Sequence, residues 1–566
     1  MAKSMELLNV NLDEKTFDLI KKILARKLRE RGCSFGGSGG PVLSVAVHDA
    51  LTKGAYRVEP DKIFAGDING ILSGLGRYLN ECRFDGYGAF IPAEGVYELV
   101  PKKPVRGMYF ASHFFNFYHS APIEKIYEIV EDLALRGCNA LMAWYDMHHY
   151  TGVNDPESIK MIDRLKKIYL HAKALGFILV TGGISNEAYD GTPDRLKANW
   201  LPVNGYKRQL MGHYHVEICP SAEGGMEEIL RQRREMLTAF ADIPFDYYSI
   251  GPYDQGGCTC ADCKPWGANG YLRIAPKIDE LLKEIMPGAR MLCFTWFFDS
   301  FIDGEWDAFY ERMKEPQFEF FAYLFGYFFS AESVPEFIRN GDMPGGKQML
   351  SFSEISMHGA VPWGGFGTNP LPKYLEELET ANGWFYQGGF PYSEGIYEDI
   401  NKALTLGFVS GQYAGAKEIL NDYARFEFCA APEEIVSLIY DMEDTLVRHR
   451  YDEDGEIQDY PLRPMPPGTR FKFVFDKPEK IDDIYERANR IDVSLAPSVR
   501  SGWRWRVVFL RACIDYELYH NDGEPNEQCE IYYNELIEMY YAQEALYALA
   551  PPTRENMDLC RGGYLL

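Results

Sequence analysis

Two hydrophobic periods divide the first hundred residues into helices and strands. Residues 13–31 carry apolar side chains three and four positions apart, which predicts an amphipathic helix. The apolar runs VLSVAV at 42–47 and AYRV at 55–58 predict strands, and GILSGLGRYLNEC at 70–82 predicts a second helix. The glycine-rich CSFGGSGG lacks the Gly-Lys-Ser/Thr ending of a phosphate loop and is interpreted as a turn. The pattern predicts a small α/β unit.

From residue 104 to about 407, an apolar strand is followed by a helical pattern several times in succession. Eight apolar strands with alternating helices predict a (β/α)8 TIM barrel of the α/β class rather than an open sheet. The interval from FFAYLF to QMLSF is the least regular part. The candidate strands are VRGMYF, NALMAWY, FILVTGG, VEICPS, YYSIGPY, RMLCFTWF, QMLSFSEIS and GWFYQGGF.

After about residue 410 the chain is predicted to be helical, with a proline-rich interruption, YPLRPMPPGTR. We therefore expect three domains: a small α/β domain over 1–102, a catalytic barrel over 103–408 and an α-helical C-terminal domain over 409–566. The helical domain is expected to pack against the barrel or to offer its aromatic surface for homo-oligomer formation.

Charge and length exclude some classes of partner. The net charge of −25 argues against nucleic acid and anionic membranes as partners, since both need a cationic surface. No run of 18 apolar residues predicts a membrane span. The opening MAKSMELLNVNLDEKTFDLI lacks the basic-then-apolar pattern of a signal peptide, so a cytoplasmic location is expected.

Aromatic residues make up 14% of the chain. Aromatic rings beside carboxylates suit sugars, whose C–H faces are apolar while their hydroxyls need polar partners. A large aromatic core is the alternative, and composition alone favours it.

Polar residues cluster where the first predicted barrel strand ends. Arg106 opens this strand, and His113 and Asn116 follow it. A guanidinium can bind sugar hydroxyls or a carboxylate through its fork of donors, so we favour a substrate contact for Arg106. The alternative is a salt bridge at the bottom of the barrel.

The second predicted strand ends in Trp144, Asp146, His148 and His149. Adjacent histidines on an extended segment face opposite ways, so they do not easily bind one metal ion. Packing of the loop is the simplest interpretation. Hydrogen bonding to a substrate is favoured over a metal site.

Acidic residues end three of the predicted strands. Asp254, followed by Gln255, ends YYSIGPY, while Glu354 and Glu394 end the last two strands. Glycosidic cleavage needs one group that protonates the leaving oxygen and another that stabilises or attacks the anomeric carbon. Carboxylates suit both roles. Glu398 is interpreted instead as a helix cap or a solvated side chain.

Further aromatic and polar side chains are expected around these carboxylates. Apolar aromatic walls raise the pKa of a carboxyl group, so that it stays protonated near neutral pH and can donate a proton. We expect substrate contacts from Trp296, Asp299, Trp363 and Tyr392.

Three cysteines follow Asp254 in the spacing C-x-C-x-x-C: Cys258, Cys260 and Cys263. Zinc prefers four thiolate or imidazole ligands, so a structural zinc would need a fourth, such as Cys219 or His215. Reduced thiols that shape the loop are the favoured alternative, and a disulfide is the least favoured. A zinc enzyme that uses these cysteines in catalysis is a third hypothesis.

Several segments resemble the β-N-acetylhexosaminidases of glycoside hydrolase family 20. AYRVEPDKIFAGDINGILSGLGRYL resembles the domain that precedes that family's barrel, and RGMYFASHFFNFY resembles its first barrel strand, which implies a sugar contact for Arg106. The segment ending in YYSIGPYDQGGC resembles the one that ends in the family's Gly-Gly-Asp-Glu signature. The match implies that Asp254 orients the substrate's acetamido group. Gln255 stands where the proton-donating Glu is expected, and an amide cannot donate that proton.

The same build is similar to glycoside hydrolase family 163 and, more loosely, to the α-glucuronidases of family 67, over about residues 45–300. If the protein is an enzyme, its proton donor comes from another strand. Glu354 is the first choice, and Glu394 is the second candidate or the nucleophile or base.

The sequence thus predicts a cofactor-independent, exo-acting glycoside hydrolase with a retaining mechanism. N-acetylhexosaminides or related small oligosaccharides are the leading substrates. The alternatives are a non-catalytic sugar-binding protein, which Gln255 favours, and a glycosidase of uronic acid or other pyranose substrates.

Overall fold

The structure is a computed structural model of the 566-residue chain. The residues that it describes are 1–37, 39–112, 116–207, 216–252, 256–356, 368–446, 448–451, 472–475, 477–523 and 526–541.

The chain begins with a mixed six-stranded sheet in the order β2-β1-β3-β5-β4-β8. Strands β1, β2, β3 and β5 run parallel, while β4 pairs antiparallel with β5 and β8. Helices α1 and α2 accompany the sheet, and β6 and β7 form a separate short hairpin. The elements are β1 (Ser4–Asn9), α1 (Glu14–Arg29), β2 (Ser34–Phe35), β3 (Val42–Val47), β4 (Tyr56–Glu59), β5 (Lys62–Ala65), α2 (Ile68–Glu81), β6 (Arg83–Phe84), β7 (Phe90–Ile91) and β8 (Tyr97–Leu99).

Local sequence explains why the first helix forms where it does. The Asp13 side chain accepts a hydrogen bond from the N–H of Thr16, which satisfies a donor that the helix itself leaves unpaired. Ile20, Leu24 and Leu28 are spaced at helical intervals and are all buried. The predicted helix over 13–31 is therefore confirmed.

Eight parallel strands close into a barrel in the order β9 to β16, because β9 pairs with both β10 and β16. A short strand, β17, continues beyond β16 and also pairs with β9. The predicted TIM barrel is confirmed. The strands are β9 (Val105–Phe110), β10 (Ala140–Trp144), β11 (Ile178–Ile184), β12 (Tyr247–Gly251), β13 (Arg290–Phe294), β14 (Phe321–Gly326), β15 (Met349–Ser351), β16 (Tyr386–Gly389) and β17 (Tyr392–Ser393).

A glycine makes the barrel closure possible. Gly388 has a φ of 90°, and a Cβ atom there would lie 1.7 Å from the carbonyl oxygen of Val105 on β9. Only glycine tolerates both the backbone conformation and this close approach.

Helices alternate with the barrel strands, as the sequence pattern predicts. They connect strands whose carboxyl ends all lie on one face of the barrel, where the polar residues after each strand gather. The helices are α3 (Phe117–Ser120), α4 (Ile123–Leu135), α5 (Pro156–Ala174), α6 (Gly225–Ala239), α7 (Leu272–Ile285), α8 (Glu305–Arg312), α9 (Glu336–Arg339), α10 (Pro372–Asn382) and α11 (Asp399–Ser410).

Two assignments of individual barrel strands need correction. VEICPS is not a barrel strand, because Glu217 and Ile218 form only isolated bridges with Glu187 and Lys197. The sixth barrel strand is instead β14. It lies in the interval from FFAYLF to QMLSF, where the sequence pattern predicted no separate strand. A buried extended arm and a barrel strand share the same apolar pattern, so periodicity alone does not separate them.

The chain after α11 is mainly helical in the described residues, as predicted, with one short hairpin of β18 and β19. Tyr397 donates a hydrogen bond to the carbonyl of Leu536, which joins α17 to the barrel. The elements are α12 (Ala416–Phe428), α13 (Pro432–Leu446), β18 (Arg448–Tyr451), β19 (Lys472–Phe475), α14 (Ile481–Ser494), α15 (Pro497–Arg500), α16 (Trp503–His520) and α17 (Glu527–Met539).

One contiguous apolar core runs through all three parts of the chain. A second apolar cluster fills the barrel interior. The division into three domains at 102/103 and 408/409 stays a prediction. Within the described residues, no helix combines the length and the hydropathy that crossing a membrane requires.

Candidate active site

Two glutamates meet where the last barrel strands end. Glu354 follows β15 and forms a parallel bridge with Tyr392 of β17. The backbone N–H of Ser356 donates to Oε1 of Glu354 over 2.6 Å, and the Ser356 hydroxyl donates to Oε2 of Glu394 over 3.2 Å. One serine therefore contacts both carboxylates, and the structure brings together two residues that lie 40 positions apart in the chain.

The buried member of this pair is Glu394, which has no exposed surface. Burial, together with the charges of Glu354 and Glu398, raises the pKa of Glu394 to about 8. Hydrogen bonds from Tyr392, at 3.0 Å, and from Ser356 act in the opposite direction but are weaker. At neutral pH Glu394 is therefore protonated, whereas Glu354 is only half-buried.

A buried turn holds Glu394 in place. Glu398 precedes α11, as a helix cap would, but its carboxylate is buried and accepts hydrogen bonds from the Ser393 hydroxyl and from the N–H groups of Glu394 and Gly395, at 2.7–2.8 Å. The Lys402 ammonium lies 3.7 Å from Glu398 and donates to the Gly395 carbonyl. Glu398 thus positions the turn and is not solvated.

Aromatic rings fill the barrel interior next to this pair. The ring centroids of Phe352 and Tyr392 are 5.9 Å apart, and those of Phe352 and Trp296 are 5.3 Å apart. Tyr109 lies 5.8 Å from Tyr392. These contacts place Trp296 and Tyr392 in one aromatic cluster, which offers apolar faces to the end of the barrel that carries the carboxylates.

A cleft of about 670 Å³ opens beside Trp296. Phe329, Asp299 and Tyr327 also line it. The pKa of Tyr327 is raised by burial, by Tyr374 and in part by the charge on Glu354. The cleft therefore comes within electrostatic reach of Glu354, and its volume lies in the range of small-molecule sites.

Glu187 lies at the carboxyl-terminal rim of the barrel, as Glu354 and Glu394 do. The sequence analysis missed it. It follows β11, is buried, and accepts hydrogen bonds from the Trp144 indole over 3.2 Å and from the N–H of Met147 over 2.8 Å. Its Oε1 lies 3.3 Å from Nδ1 of His148. The signal was present, because Glu187 is an acidic residue just after a barrel strand.

The two histidines after β10 lie side by side rather than on opposite faces. Met147–His149 form a 3₁₀ turn, and the ring centroids of His148 and His149 are 3.9 Å apart. The assumption of an extended segment was therefore wrong. Nδ1 of His149 pairs with Oδ2 of the buried Asp146. Burial by itself lowers the pKa of His149, but the Asp146 carboxylate raises it by more, so the pKa is raised overall.

Arg106 does not join the rim. It lies at the amino-terminal end of β9, where its guanidinium donates to the carbonyls of Gly137 and Lys103, over 2.8 and 3.0 Å, and to Oδ1 of Asn69 over 3.3 Å. The opposite face of the barrel carries Glu354 and Glu394. This placement agrees with the alternative of a structural role at the barrel bottom, although the partners are carbonyl and amide oxygens rather than an acid.

Two other predicted contacts have structural partners. The Asn116 side chain accepts from the N–H of Tyr118 and donates to the carbonyl of Ala111, so it caps the short helix α3. Oδ1 of Asp299 accepts from the N–H of Glu305 over 2.6 Å, at the start of α8. Asp299 nevertheless also lines the cleft. The predicted residues His113, Asp254, Gln255 and Trp363 lie outside the described residues, as does His215.

The three cysteines of the C-x-C-x-x-C motif meet Cys219. The Sγ atom of Cys219 lies 3.8 Å from that of Cys260 and 3.9 Å from that of Cys263. The four sulfur atoms all lie within 4.8 Å of one another. Cys219 belongs to the segment that was mistaken for a barrel strand, and the cluster joins this segment to the loop after β12.

Comparisons with known proteins support the fold. No protein-family model matches the sequence, and the search of curated proteins gives no match. Among solved structures, a family 89 glycoside hydrolase from Clostridium perfringens, in complex with 2-acetamido-1,2-dideoxynojirimycin, superposes with a TM-score of 0.60 at 12% identity, covering 93% of this chain. The chain spans 65% of the length of that enzyme, which is less than two thirds.

A family 138 enzyme that targets pectin rhamnogalacturonan II superposes with a TM-score of 0.55 at 10% identity, covering 95% of this chain and 93% of its own. A family 20 exo-β-N-acetylglucosaminidase from Vibrio harveyi gives a TM-score of 0.49 at 12% identity, covering 78% of this chain and 74% of its own. The family 89 and family 138 superpositions show that the protein distantly resembles glycoside hydrolases, and at these identities the resemblance is one of fold.

Proposed function

We propose that the protein is a glycoside hydrolase whose active site is the carboxylate pair at the carboxyl-terminal rim of the barrel. The observation that carries this proposal is that Ser356 contacts both Glu354 and Glu394, while burial and neighbouring charge raise the pKa of Glu394 to about 8. A carboxyl group with a raised pKa beside a second carboxylate and aromatic rings is suited to sugar chemistry.

In the proposed division of roles, Glu354 acts on the anomeric carbon. It is the half-buried member of the pair and therefore the one that a bound sugar can contact. Glu394 is then a positioning residue, because it has no exposed surface through which to touch a substrate. This assignment reverses the first choice from sequence, in which Glu354 was the proton donor.

We assign the proton donor to Asp254 on sequence position alone. Asp254 comes three residues after Gly251, the last residue of β12, and residues that follow barrel strands belong to the catalytic face. In a retaining reaction, Glu354 would form a glycosyl ester while the leaving oxygen takes a proton from Asp254. Asp254 would then activate the water that breaks the ester.

N-acetylhexosaminides are the leading substrate class, with exo cleavage of small oligosaccharides. Support comes from the family 89 neighbour, which was solved with a 2-acetamido sugar mimic. The family 138 neighbour supports the alternative of pectic substrates, including uronides. The carboxylate chemistry needs no cofactor in this scheme, and the cysteine cluster is structural.

The proposal is tested with chromogenic glycosides at neutral pH. The panel includes both anomers of N-acetylhexosaminides, uronides and neutral pyranosides, together with pectic oligosaccharides. We expect turnover of at least one member, loss of that turnover in Glu354→Gln, and retention in Glu280→Gln, where an exposed glutamate on α7 is changed. Turnover that Glu354→Gln leaves unchanged would place the chemistry elsewhere.

Gln255 supports a second candidate, a sugar-binding protein without activity, because an amide stands where the resembled family has its donor. Calorimetry with the same sugars separates the two. Tight binding of a sugar that the wild-type protein does not hydrolyse would favour the binding protein over the enzyme.

A further inference from the structure

The cysteine cluster lies outside the proposed carboxylate site and has its own chemistry. Its members are Cys219, Cys258, Cys260 and Cys263. We infer that these four cysteines bind one structural zinc ion, which cross-links the segment before α6 to the loop after β12.

The spacing of the sulfur atoms fits a tetrahedral ion. Zinc–thiolate bonds of about 2.3 Å place the corners of a tetrahedron about 3.8 Å apart. The distances from Cys219 to Cys260 and Cys263 are 3.8 and 3.9 Å. A disulfide would instead bring two sulfur atoms to about 2.05 Å, and all four cysteines are free of disulfides.

The surroundings supply donors to the sulfur atoms. The backbone N–H of Asn199 donates to Sγ of Cys258 over 3.4 Å. The Ser221 hydroxyl lies 3.2 Å from Sγ of Cys263, and Arg273 donates to that hydroxyl over 2.7 Å. Four thiolates around Zn²⁺ leave a net charge of about −2, which such donors and a nearby cation stabilise.

Burial favours a closed structural site. Cys258 and Cys263 have no exposed surface, Cys219 is buried, and Cys260 is partly exposed. Four protein ligands leave no open position on the ion for a water molecule or a substrate. The hypothesis of a catalytic zinc is therefore not favoured by this geometry.

The inferred ion would tie together two segments that lead to the rim. Next to Cys219, Ile218 exchanges hydrogen bonds with Asn186, the neighbour of Glu187. Next to Cys258, the N–H of Thr259 donates to the carbonyl of Asn199 over 2.8 Å. The cross-link would thus hold the described part of the loop after β12 against the segment that carries Glu187.

The test measures zinc directly, so its result does not depend on glycosidase activity. The full-length protein is expressed with added zinc, dialysed and analysed for metal by mass spectrometry. We expect about one zinc ion per chain, in keeping with a closed four-cysteine site. Replacement by Co²⁺ should give the intense absorption of tetrahedral cobalt thiolates.

Matched variants locate the ion. Cys260→Ser changes the partly exposed ligand and should lose both the zinc and the cobalt spectrum. Cys429→Ser is the control: it changes a partly exposed cysteine at the carboxyl end of α12 and should keep both. Chelation of wild-type protein should lower Tm and leave Tm of Cys260→Ser unchanged. Folded wild-type protein that retains no zinc and gives no cobalt thiolate spectrum would overturn the inference.

Discussion

Two groups of carboxylates in the molecule contain buried members whose pKa values are shifted in opposite directions. The first group is the rim pair of Glu354 and Glu394. The second is an ion-pair network of Asp132, Asp399 and Glu427 with several arginines, where helix α1, the barrel helices and the helical tail meet. Glu394 is as deeply buried as the network carboxylates, yet the pKa of Glu394 is raised while those of the network carboxylates are lowered.

Neighbouring charge explains the difference. Arg136 donates to both oxygens of Asp399 over 3.0 Å, and Arg504 donates to Asp399 over 2.9 Å and to Asp132 over 2.6 Å. Burial raises the pKa of Glu427, but Arg504, Lys27 and Arg136 together lower it to about 2.

Glu394 receives hydrogen bonds from hydroxyl groups and faces two other carboxylates. A buried carboxyl group is therefore ionised where cations surround it, and it holds its proton at neutral pH where they do not. Four predictions test this contrast, from the largest effect to the smallest.

The largest effect is expected from breaking the network. Arg504→Met leaves Asp399 and Asp132 with fewer cationic partners in a buried setting and should reduce the free energy of unfolding by about 3–5 kcal/mol. Urea denaturation measures this loss. Arg29→Met, at an exposed position on α1, is the control and should be nearly neutral. Equal stability of both variants would show that the network is not stabilising.

The rim should show the reverse behaviour. Glu354→Gln should lower kcat/KM at least about 10²-fold, while the free energy of unfolding is kept, because the change removes a negative charge beside Glu394. Substrates with better leaving groups should not restore the rate of Glu354→Gln. They should partly restore the rate of Asp254→Asn, because a better leaving group needs less protonation. Loss of folding instead of activity would assign Glu354 to the core.

The pH profile isolates Glu394. Its pKa of about 8 predicts that kcat/KM falls as the pH rises through about 8, because Glu394 then becomes negatively charged beside Glu354. Glu394→Gln keeps the side-chain shape without the charge and should remove this alkaline decline. An unchanged profile in the variant would assign the decline to another group.

Stability supplies the second readout for Glu394. The pKa of Glu394 in the folded protein lies above the value of about 4.3 in the unfolded chain. The stability that Glu394 contributes is therefore fully present below about pH 4.3 and is lost as the pH rises to about 8. Glu394→Gln should flatten this slope. The network carboxylates act oppositely: their lowered pKa values contribute stability above about pH 4, which is lost on acidification.

The smallest effect is expected at Tyr392. Tyr392→Phe removes a hydroxyl that lowers the pKa of Glu394, so the alkaline decline should move to higher pH. The lost hydrogen bond should cost about 1 kcal/mol of stability. Tyr323→Phe, on β14, is the matched control. A shift to lower pH in Tyr392→Phe would contradict the role assigned to this hydroxyl.

Local pattern alone determined much of the architecture. Apolar runs of five to seven residues identified β9, β10 and β11, and helical spacing identified α1, because side-chain periodicity depends on neighbours in the chain. The acidic residues after β15 and β16 were identified as candidates by the same rule. The pattern failed for VEICPS, since a buried arm that bridges two loops alternates like a strand.

Only the tertiary structure decided which of these residues meet, and in what environment. It brought Cys219 to the other three cysteines, placed Arg106 at the bottom of the barrel, added Glu187 to the rim, and buried Glu394 more deeply than Glu354. Sequence distance carries no information on such contacts, because they follow from barrel closure and from loops that return across the rim. A pKa depends on burial and on the charges nearby, and both exist only once the chain has folded.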